Sequence, residues 1–376
     1  MRLVHISDLH IGKRLIERSL LEDQKYILKK IETIIYKEKF DGVLIAGDIY
    51  DKAVPSSEAV ELFNDFLTNL AKHDIKVFMI SGNHDSAERI GFGSFMMSKA
   101  GVYVSPSYNG EIKVATLNDE YGDVNIYLLP FIKPSYVKSY YPDADIETYT
   151  DALKFVIEKM NVDKSKRNIL LAHQFVGHAQ KDGSEEASIG GLDVVDDNIF
   201  DDFDYVALGH IHKKQTLKGK IRYCGTPLQY SFSENKNINS LTVVELKQKG
   251  DLKILEIELE AKRKLIQIKG TFEELTSEEF YKDLNRDDYY GVTLTNEDDV
   301  VDGANKLRAI YPNMLKLEYD NKRTNAARTI TTIDGLEDKS TLDLFKEFYE
   351  KLNGKQMSKE EEKYMDKAIR DVEEGE

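Results

Sequence analysis

The sequence predicts an α/β protein whose main sheet is covered on both faces. Short, almost wholly apolar segments alternate with segments of helical periodicity through the first 260 residues. Strands that are apolar along their whole length are typical of sheets buried on both sides. With 376 residues, of which 41% are hydrophobic, the chain is also long enough for more than one domain.

The first 260 residues are expected to form one domain from these alternating elements. Six apolar strands are predicted, at residues 3–6, 42–46, 77–80, 124–129, 169–172 and 205–208. Helices are predicted around 27–35, 57–72 and 147–160, where apolar residues recur every three or four positions. Alternation by twos on either side of Gly250 predicts a hairpin that closes the domain near residue 260.

The remaining residues predict a smaller α+β domain and a helical tail. The segment 261–322, expected to form a capping domain, combines strand patterns with a helix at 300–310. A polar linker at 323–339 leads to two tail helices within 340–376, each with an apolar stripe. Ser358 and Glu361 form a capping-box pattern at the start of the last helix. The stripes must be buried, either on the rest of the chain or on a partner.

The charge and cysteine content restrict the function classes. The chain has 52 Lys and Arg against 67 Asp and Glu, a net charge of −15. This balance argues against a broad basic surface for nucleic acid, although it leaves room for a small local site. A single cysteine, Cys224, excludes an internal disulfide framework and a cysteine-based zinc ribbon.

The N-terminal residues do not fit a secretion signal. His5, Asp8 and His10 interrupt the apolar run that such a signal needs. No apolar run approaches the roughly 20 residues of a membrane helix. We therefore expect a soluble, cytoplasmic protein in a reducing compartment.

Polar residues of the kinds that bind metals follow five of the predicted strands. They form the patterns Asp8-x-His10, Gly47-Asp48, Gly82-Asn83-His84-Asp85, Ala172-His173 and Gly209-His210-x-His212. The carboxyl ends of strands in an α/β sheet lie at one edge, where binding sites form. Separate structural roles are disfavoured, because buried Asp and His cost free energy without partners. Carboxylates, imidazoles and one amide, without a thiolate, suit divalent ions such as Mn²⁺, Fe²⁺ or Zn²⁺.

Seven longer stretches around these patterns carry a more specific signal. They are HISDLHIGKRL (5–15), LIAGDIYDKAVPS (44–56), SGNHDS (81–86), LLPFIKP (128–134), LAHQFVGHA (171–179), YVALGHIHKKQ (205–215) and RYCGTPLQYSFSE (222–234). Together they resemble the calcineurin-like metallophosphoesterase superfamily and, within it, the family of SbcD-like nucleases. The resemblance implies an α/β fold with a calcineurin-like β-sandwich flanked by helices, a small α+β capping domain and a C-terminal two-helix segment.

The resemblance also implies a site for two divalent ions that share Asp48. The two ligand sets it implies are Asp8, His10, Asp48 and His212 for one ion, and Asp48, Asn83, His173 and His210 for the other. Mn²⁺ is the implied metal, with Mg²⁺ or Fe²⁺ as alternatives. His84 would face the scissile phosphate as an acid or charge stabiliser, and Asp85 would orient it. Archaeal and eukaryotic relatives have a further histidine shortly after the shared aspartate, and Asp51 stands at that position here.

The implied activity is that of a DNA nuclease subunit in an SbcCD-type complex. It would be a Mn-dependent 3′–5′ exonuclease on double-stranded ends and an endonuclease on hairpins and single strands. Its role would be DNA end processing in repair, replication and recombination. The implied partners are DNA, an SbcC-type coiled-coil ATPase bound by the tail helices, and a second copy of the chain. Helix 57–72 and the apolar segment 86–99 are candidates for the homodimer contact within a heterotetramer, although segment 86–99 could instead pack in the core.

Two other function classes remain open at this stage. A metallophosphodiesterase or phosphatase for small substrates would need neither the smaller domain nor the helical tail. A non-catalytic scaffold would be expected to lose ligands, whereas every expected ligand position is filled. His178 could either approach the substrate or belong to a loop, and Asp51 has no assigned role.

Overall fold

The computed structural model describes residues 1–177, 179–180, 194–322, 324, 341–353 and 356–373. It divides the chain into two compact units, Met1–Leu265 and Ile266–Glu376. His178 and most of the linker 323–339 lie outside the described residues. Within the described ranges, no helix combines the length and apolar character needed to cross a bilayer.

The first unit contains two six-stranded sheets of similar design. The first sheet comprises β1 (Arg2–Ile6), β4 (Gly42–Ala46), β5 (Lys76–Ile80), β6 (Val102–Ser105), β13 (Ser240–Leu246) and β14 (Leu252–Glu258). The second comprises β7 (Lys113–Asp119), β8 (Gly122–Leu128), β9 (Arg167–His173), β10 (Tyr205–Gly209), β11 (Gln215–Leu217) and β12 (Ile221–Tyr223). A short hairpin, β2 (Arg14–Leu15) and β3 (Arg18–Ser19), follows β1.

Each sheet has a parallel centre. The strand orders are β14-β13-β1-β4-β5-β6 and β11-β12-β10-β9-β8-β7. Strands β1, β4, β5 and β6 are parallel, and β13 and β14 extend that sheet in antiparallel pairings. Strands β8, β9, β10 and β12 are likewise parallel, with β7 and β11 antiparallel at the edges.

The two sheets pack face to face around a shared apolar core. Leu3 and Phe78 of the first sheet lie in one buried cluster with Ile169 of the second. The hydroxyl of Tyr205 also lies 2.8 Å from His5 Nδ1 across the two layers. The predicted β-sandwich is therefore confirmed, with a second sheet covering one face of the first.

Helices cover the outer faces of the sandwich. They are α1 (Leu21–Glu38), α2 (Ser57–Lys72), α3 (Ala87–Gly91), α4 (Ser94–Lys99), α5 (Pro134–Tyr140) and α6 (Tyr149–Lys159). Helix α2 packs against β5 and α1, while Val156 of α6 lies in the buried cluster of Leu170 in β9. The Ser56 hydroxyl caps α2 by accepting a hydrogen bond from Ala59 N at 3.3 Å.

The segment 86–99 forms two short helices rather than one. Gly93 separates α3 from α4 with a φ of +72°. Ile90 is buried, but the exposed fractions are 83% for Phe92, 75% for Phe95 and 70% for Met96. Most of the apolar surface of this segment therefore does not belong to the core.

The second unit has its own small sheet and apolar cluster. Its elements are β15 (Leu265–Gly270), α7 (Phe272–Leu275), α8 (Glu278–Tyr281), β16 (Tyr289–Leu294), α9 (Gly303–Ile310), β17 (Met314–Tyr319), α10 (Thr341–Asn353) and α11 (Lys359–Glu373). The sheet order is β15-β16-β17, and Val292 and Leu307 lie in the buried cluster. The tail is helical as predicted: Ser358 N donates to Glu361 Oε2 at 2.7 Å, and Glu361 N donates to Ser358 Oγ at 3.3 Å.

Candidate metal centre

The seven side chains predicted as ligands come together where five parallel strands end. Strands β1, β4 and β5 of the first sheet and β9 and β10 of the second supply, in chain order, Asp8, His10, Asp48, Asn83, His173, His210 and His212. Five of the seven are buried, and Asn83 and His210 are partly exposed. The site therefore lies at the edge of the sandwich and draws on both sheets.

The turns that carry these ligands have unusual backbone geometry. The φ angles are 52° at Asp8, 41° at His10, 50° at Asp48 and 92° at His210. Positive φ in a residue with a side chain costs on the order of 1 kcal/mol or more and clusters at functional sites. The turns also support each other, since Asp8 N donates to Gly47 O at 3.1 Å and His10 N to Asp48 O at 3.0 Å.

Asp8, His10 and His212 form a first group of predicted ligands, called here the first ligand group. One potential ligand atom of each lies within 4.8 Å of the others. The Nε2 atoms of His10 and His212 are 3.2 Å apart. Asp8 is oriented by its neighbours, because its Oδ1 accepts from His210 N at 2.9 Å and the Ser7 hydroxyl donates to its Oδ2.

Asn83, His173 and His210 form a second group of predicted ligands, called here the second ligand group. Asn83 Oδ1 lies 3.1 Å from His173 Nε2 and 3.1 Å from His210 Nδ1. Asp48 stands between the two groups, with its Oδ2 3.3 Å from His173 Nε2 and 3.7 Å from His10 Nε2. This is the position that a shared ligand requires.

The donor atoms of the second group fit a cation. His173 Nδ1 lies 2.7 Å from Ala46 O, so Nδ1 carries the hydrogen and Nε2 of the neutral ring holds a lone pair. That lone pair faces two further acceptors, Asn83 Oδ1 at 3.1 Å and Asp48 Oδ2 at 3.3 Å. Three converging acceptors repel one another unless a proton or a metal ion lies between them, so the residues present fit a divalent ion.

The electrostatics of the cluster agree with a cation at this point. Burial alone lowers the pKa of His173, but the Asp48 and Asp8 carboxylates outweigh it and raise that pKa to about 9. Burial acts to raise the pKa of Asp48, yet the surrounding His173, His10 and His84 hold it well below its usual range. Positive charge is therefore favoured here, whether a proton or a metal ion carries it.

Two glycines are needed because the ligands leave no room for a side chain. A Cβ atom at Gly47, where φ is +87°, would lie 2.5 Å from His173 Nδ1. A Cβ at Gly209 would lie 2.6 Å from the same atom. Either addition would displace the ring that Ala46 O holds in place.

His84 lies beside His10 and Asp48, but Asp85 does not orient it as predicted. The His84 ring is 4.9 Å from the His10 ring, its Nδ1 donates to Asp51 O at 3.1 Å, and its backbone N donates to Asp48 Oδ1 at 3.0 Å. The Asp85 carboxylate instead accepts from three backbone N–H groups, those of Ile49 (3.1 Å), Tyr50 (2.9 Å) and Gly82 (2.9 Å). Asp85 therefore ties two ligand-bearing loops together, and the expectation that it orients His84 is wrong.

The structure also brings in Glu234, to which the sequence analysis assigned no role. Glu234 is fully buried, its Oε1 lies 3.2 Å from His212 Nδ1, and its Oε2 accepts from Tyr230 N at 3.0 Å. A carboxylate that receives the outer N–H of a ligand histidine turns the other nitrogen towards the metal. Glu234 is the last residue of the stretch 222–234, one of the seven that carry the family resemblance. That resemblance was the signal in the sequence that could have pointed to it.

Two stacked sheets whose strand ends place buried carboxylates and imidazoles around a shared aspartate define the class of dinuclear metallophosphoesterases. The sequence model described as calcineurin-like phosphoesterase matches residues 1–214. A second, described as the type 5 capsule protein repressor C-terminal domain, matches residues 261–353. The chain belongs to the calcineurin-like phosphoesterase family and, within it, to the SbcD group.

The similarity to curated relatives extends over most of the chain. The SbcD component of the SbcCD nuclease from Staphylococcus epidermidis is 36% identical over 324 residues, which cover 84% of this chain and 85% of the relative. The protein of the same name from Staphylococcus saprophyticus is 33% identical over 378 residues, with 98% of both chains covered. Among solved structures, a dimetal phosphatase from Danio rerio aligns with 69% of this chain and 99% of its own at 12% identity and a TM-score of 0.42.

Proposed function

We propose that this protein is the DNA nuclease component of an SbcCD-type complex. It would act as a Mn-dependent 3′–5′ exonuclease on double-stranded ends and as an endonuclease on hairpins and single-stranded DNA. The observation that carries the proposal is the position of Asp48 Oδ2, 3.3 Å from His173 Nε2 and 3.7 Å from His10 Nε2. The names of the curated relatives support the nuclease assignment. We further propose that this activity serves DNA end processing in repair, replication and recombination, in the cytoplasm.

The residues around the cluster have distinct parts in the proposed hydrolysis. Asp8, His10, Asp48 and His212 would bind one ion, and Asp48, Asn83, His173 and His210 the other. When bound, such a pair of ions supplies a water of lowered pKa and neutralises phosphate oxygens. His84 Nδ1 donates a hydrogen bond to Asp51 O, and the His84 backbone N–H donates to Asp48 Oδ1. These two bonds leave Nε2 of His84 to interact with the oxygen of the leaving group. The nitrogen and oxygen donors suit a divalent ion, and Mn²⁺, with Mg²⁺ or Fe²⁺ as alternatives, is the metal that the resemblance to SbcD-like nucleases implies.

Two of the basic residues that follow the metal-binding patterns are already paired with carboxylates and are therefore less available for DNA. Lys13 lies 2.8 Å from Asp51, and Lys214 lies 2.6 Å from Glu256. With a net charge of −15, the isolated protein should bind DNA weakly and in a salt-sensitive way. We infer that a partner supplies the remaining positive charge.

The tail helices are the proposed contact for an SbcC-type coiled-coil ATPase. Helices α10 and α11 contact each other, and Tyr349 hydroxyl donates to Glu361 Oε1 at 2.9 Å. Phe348 and Tyr364 nevertheless remain exposed within the described residues. Removing everything after Asp334 should abolish binding of the ATPase while sparing Mn²⁺-dependent cleavage, and retained tight binding would contradict this assignment.

A homodimer within a heterotetramer is proposed through α2 and the segment 86–99. The exposed Phe92, Phe95 and Met96 of this segment form an apolar surface of the kind that marks protein interfaces. Replacing Phe95 with Glu should convert a dimer to a monomer in light scattering. Tyr121→Glu, at an exposed aromatic outside this segment, should leave the mass unchanged.

The central test compares DNA with a small phosphodiester. With Mn²⁺, the protein should cleave an end-labelled duplex and a hairpin far better than bis(p-nitrophenyl) phosphate. His84→Ala should lose about a hundredfold or more in cleavage rate and still bind metal, as expected when a proton donor is removed. Cleavage confined to the small ester would favour a small-substrate phosphodiesterase. A wild-type cleavage rate in His84→Ala would exclude His84 as the proton donor.

A further inference from the structure

We propose that a cavity beside the second ligand group binds the nucleobase attached to the scissile phosphate. The cavity has a volume of about 390 Å³ and is bordered by Asn83 and His210. A phosphate held at the metal ligands would therefore place its attached nucleoside at the mouth of this cavity. The inference rests on the proposed nuclease function and names the part of the substrate that this side of the site recognises.

The walls of the cavity are largely aromatic. Phe131, Phe175 and Tyr136 line it, and all three are at least partly exposed. The ring centroid of Phe131 is 6.3 Å from that of His173, so the aromatic wall begins next to a proposed metal ligand. Stacking on aromatic faces is the common way to hold a base without reading its sequence.

One buried polar group faces this aromatic space. Gln174, which follows His173 in the chain, is 1% exposed and lines the cavity. Its Nε2 donates to Ile132 O at 2.9 Å, and this bond fixes the amide orientation. Among the described residues no donor reaches its Oε1, which is left to accept a hydrogen bond from a ligand. The exocyclic amine of adenine supplies such a donor, whereas the same purine ring without its 6-amino group, bonded to deoxyribose at N9, has none.

The charges at the cavity also suit a nucleotide. Lys133 is the one lysine or arginine that the described lining contains, and its Nζ lies 5.9 Å from the Phe131 ring centre. Asp85 is the acidic residue of the lining, and its carboxylate is already occupied by three backbone N–H groups. A flat base in this aromatic space, with its own phosphate at the proposed metal ligands, leaves Lys133 for the next phosphate of a DNA strand. A lipid chain would leave the Gln174 oxygen unpaired.

The test measures binding rather than turnover. Calorimetry with the full chain and Mn²⁺ should show that deoxyadenosine 5′-monophosphate binds at least tenfold more tightly than inorganic phosphate. Phe131→Leu and Phe175→Leu keep an apolar side chain of similar size. Each should lower the affinity for the nucleotide about tenfold and leave the affinity for inorganic phosphate unchanged. Tyr26→Leu, at an exposed aromatic on α1, is the matched control and should alter neither.

A second comparison tests the polar contact separately. Gln174→Leu should weaken the binding of deoxyadenosine monophosphate severalfold but leave that of purine deoxyriboside monophosphate unchanged, because the latter keeps the ring and lacks the donating amine. Equal affinity of the wild-type protein for nucleotide and phosphate would overturn the proposal, as would unchanged nucleotide binding in both Phe variants. DNA cleavage without base-dependent binding would leave the nuclease proposal standing and remove this one. Base-dependent binding without DNA cleavage would do the reverse.

Discussion

Glu234 Oε1 lies 3.2 Å from His212 Nδ1, although 22 residues separate them in the chain and both side chains are buried. The other ring nitrogen, His212 Nε2, points at His10 Nε2, 3.2 Å away. Glu234 thereby fixes which nitrogen of His212 is available to a metal.

Replacing Glu234 with Gln should weaken metal binding without removing a proposed ligand. The amide keeps the volume but loses the charge that holds the Nδ1–H of His212. We expect metal affinity to fall by about 10- to 100-fold, the usual effect of losing such a partner. Mn²⁺ titration by calorimetry measures this. Glu260→Gln, at an exposed position in the same unit, is the control, and affinity within twofold of wild type for both variants would exclude the role of Glu234.

Asp48→Asn should change the number of ions bound. Asp48 is the side chain that lies next to both ligand groups, so its loss weakens both positions at once. We expect the metal content after dialysis to fall from two ions per chain to one or none, by mass spectrometry. Asp251→Asn, in an exposed turn, should keep the wild-type content. Two tightly bound ions in Asp48→Asn would contradict a shared ligand.

The ion pair between the buried Arg167 and Asp119 should make the free energy of unfolding fall at acid pH, where Asp119 becomes protonated. Arg167 Nη2 donates to Asp119 Oδ1 at 2.5 Å, and the Met1 ammonium donates to Oδ2 at 2.7 Å. Burial acts to raise the pKa of Asp119, but these two cations outweigh it and hold the pKa well below its usual range. The stabilisation is therefore present above pH ~3.9, the ordinary pKa of Asp in an unfolded chain, and is lost as pH falls further.

Asp119→Asn should accordingly destabilise the protein at pH 7 more than at pH 3. We expect about 2 kcal/mol at pH 7, less than a fully buried pair costs because Asp119 is partly exposed. Urea unfolding at both pH values measures the difference. Asp123→Asn, which removes an exposed pair with Lys166, should have little effect at either pH. A penalty that does not shrink in acid would show that the pair is not the cause.

The Cys224 thiol should be unreactive in the folded protein. It is 2% exposed and 2.9 Å from the Ser7 hydroxyl, and burial raises its pKa to about 12. A thiol-disulfide reagent at pH 8 should therefore label no wild-type thiol until the protein is unfolded, since the thiolate is the reactive form. Ser165→Cys, at an exposed site, should react at once. Rapid labelling of native wild-type protein would contradict the burial of Cys224.

Sequence alone predicted most of the strands and the residues at their ends. The strand 42–46 was predicted to the residue, because apolar runs bounded by polar turns are a local signal. The edge strand β7 gave no such signal: it exposes alternate residues such as Val114 and lacks an apolar run, so it was not predicted. The sequence left open whether the apolar segment 86–99 lies in the core or at the surface, and the structure divides it into two short helices at Gly93, which has a positive φ.

The sequence by itself determined which side chains could bind metal, because Asp, His and Asn follow apolar strands in short, recognisable patterns. Only the tertiary structure decided what holds those side chains in place. His84 Nδ1 donates a hydrogen bond to Asp51 O rather than to Asp85, and His212 Nδ1 contacts Glu234 Oε1. Such contacts depend on how two sheets stack and on turns with positive φ, and neither leaves a periodic trace in the chain.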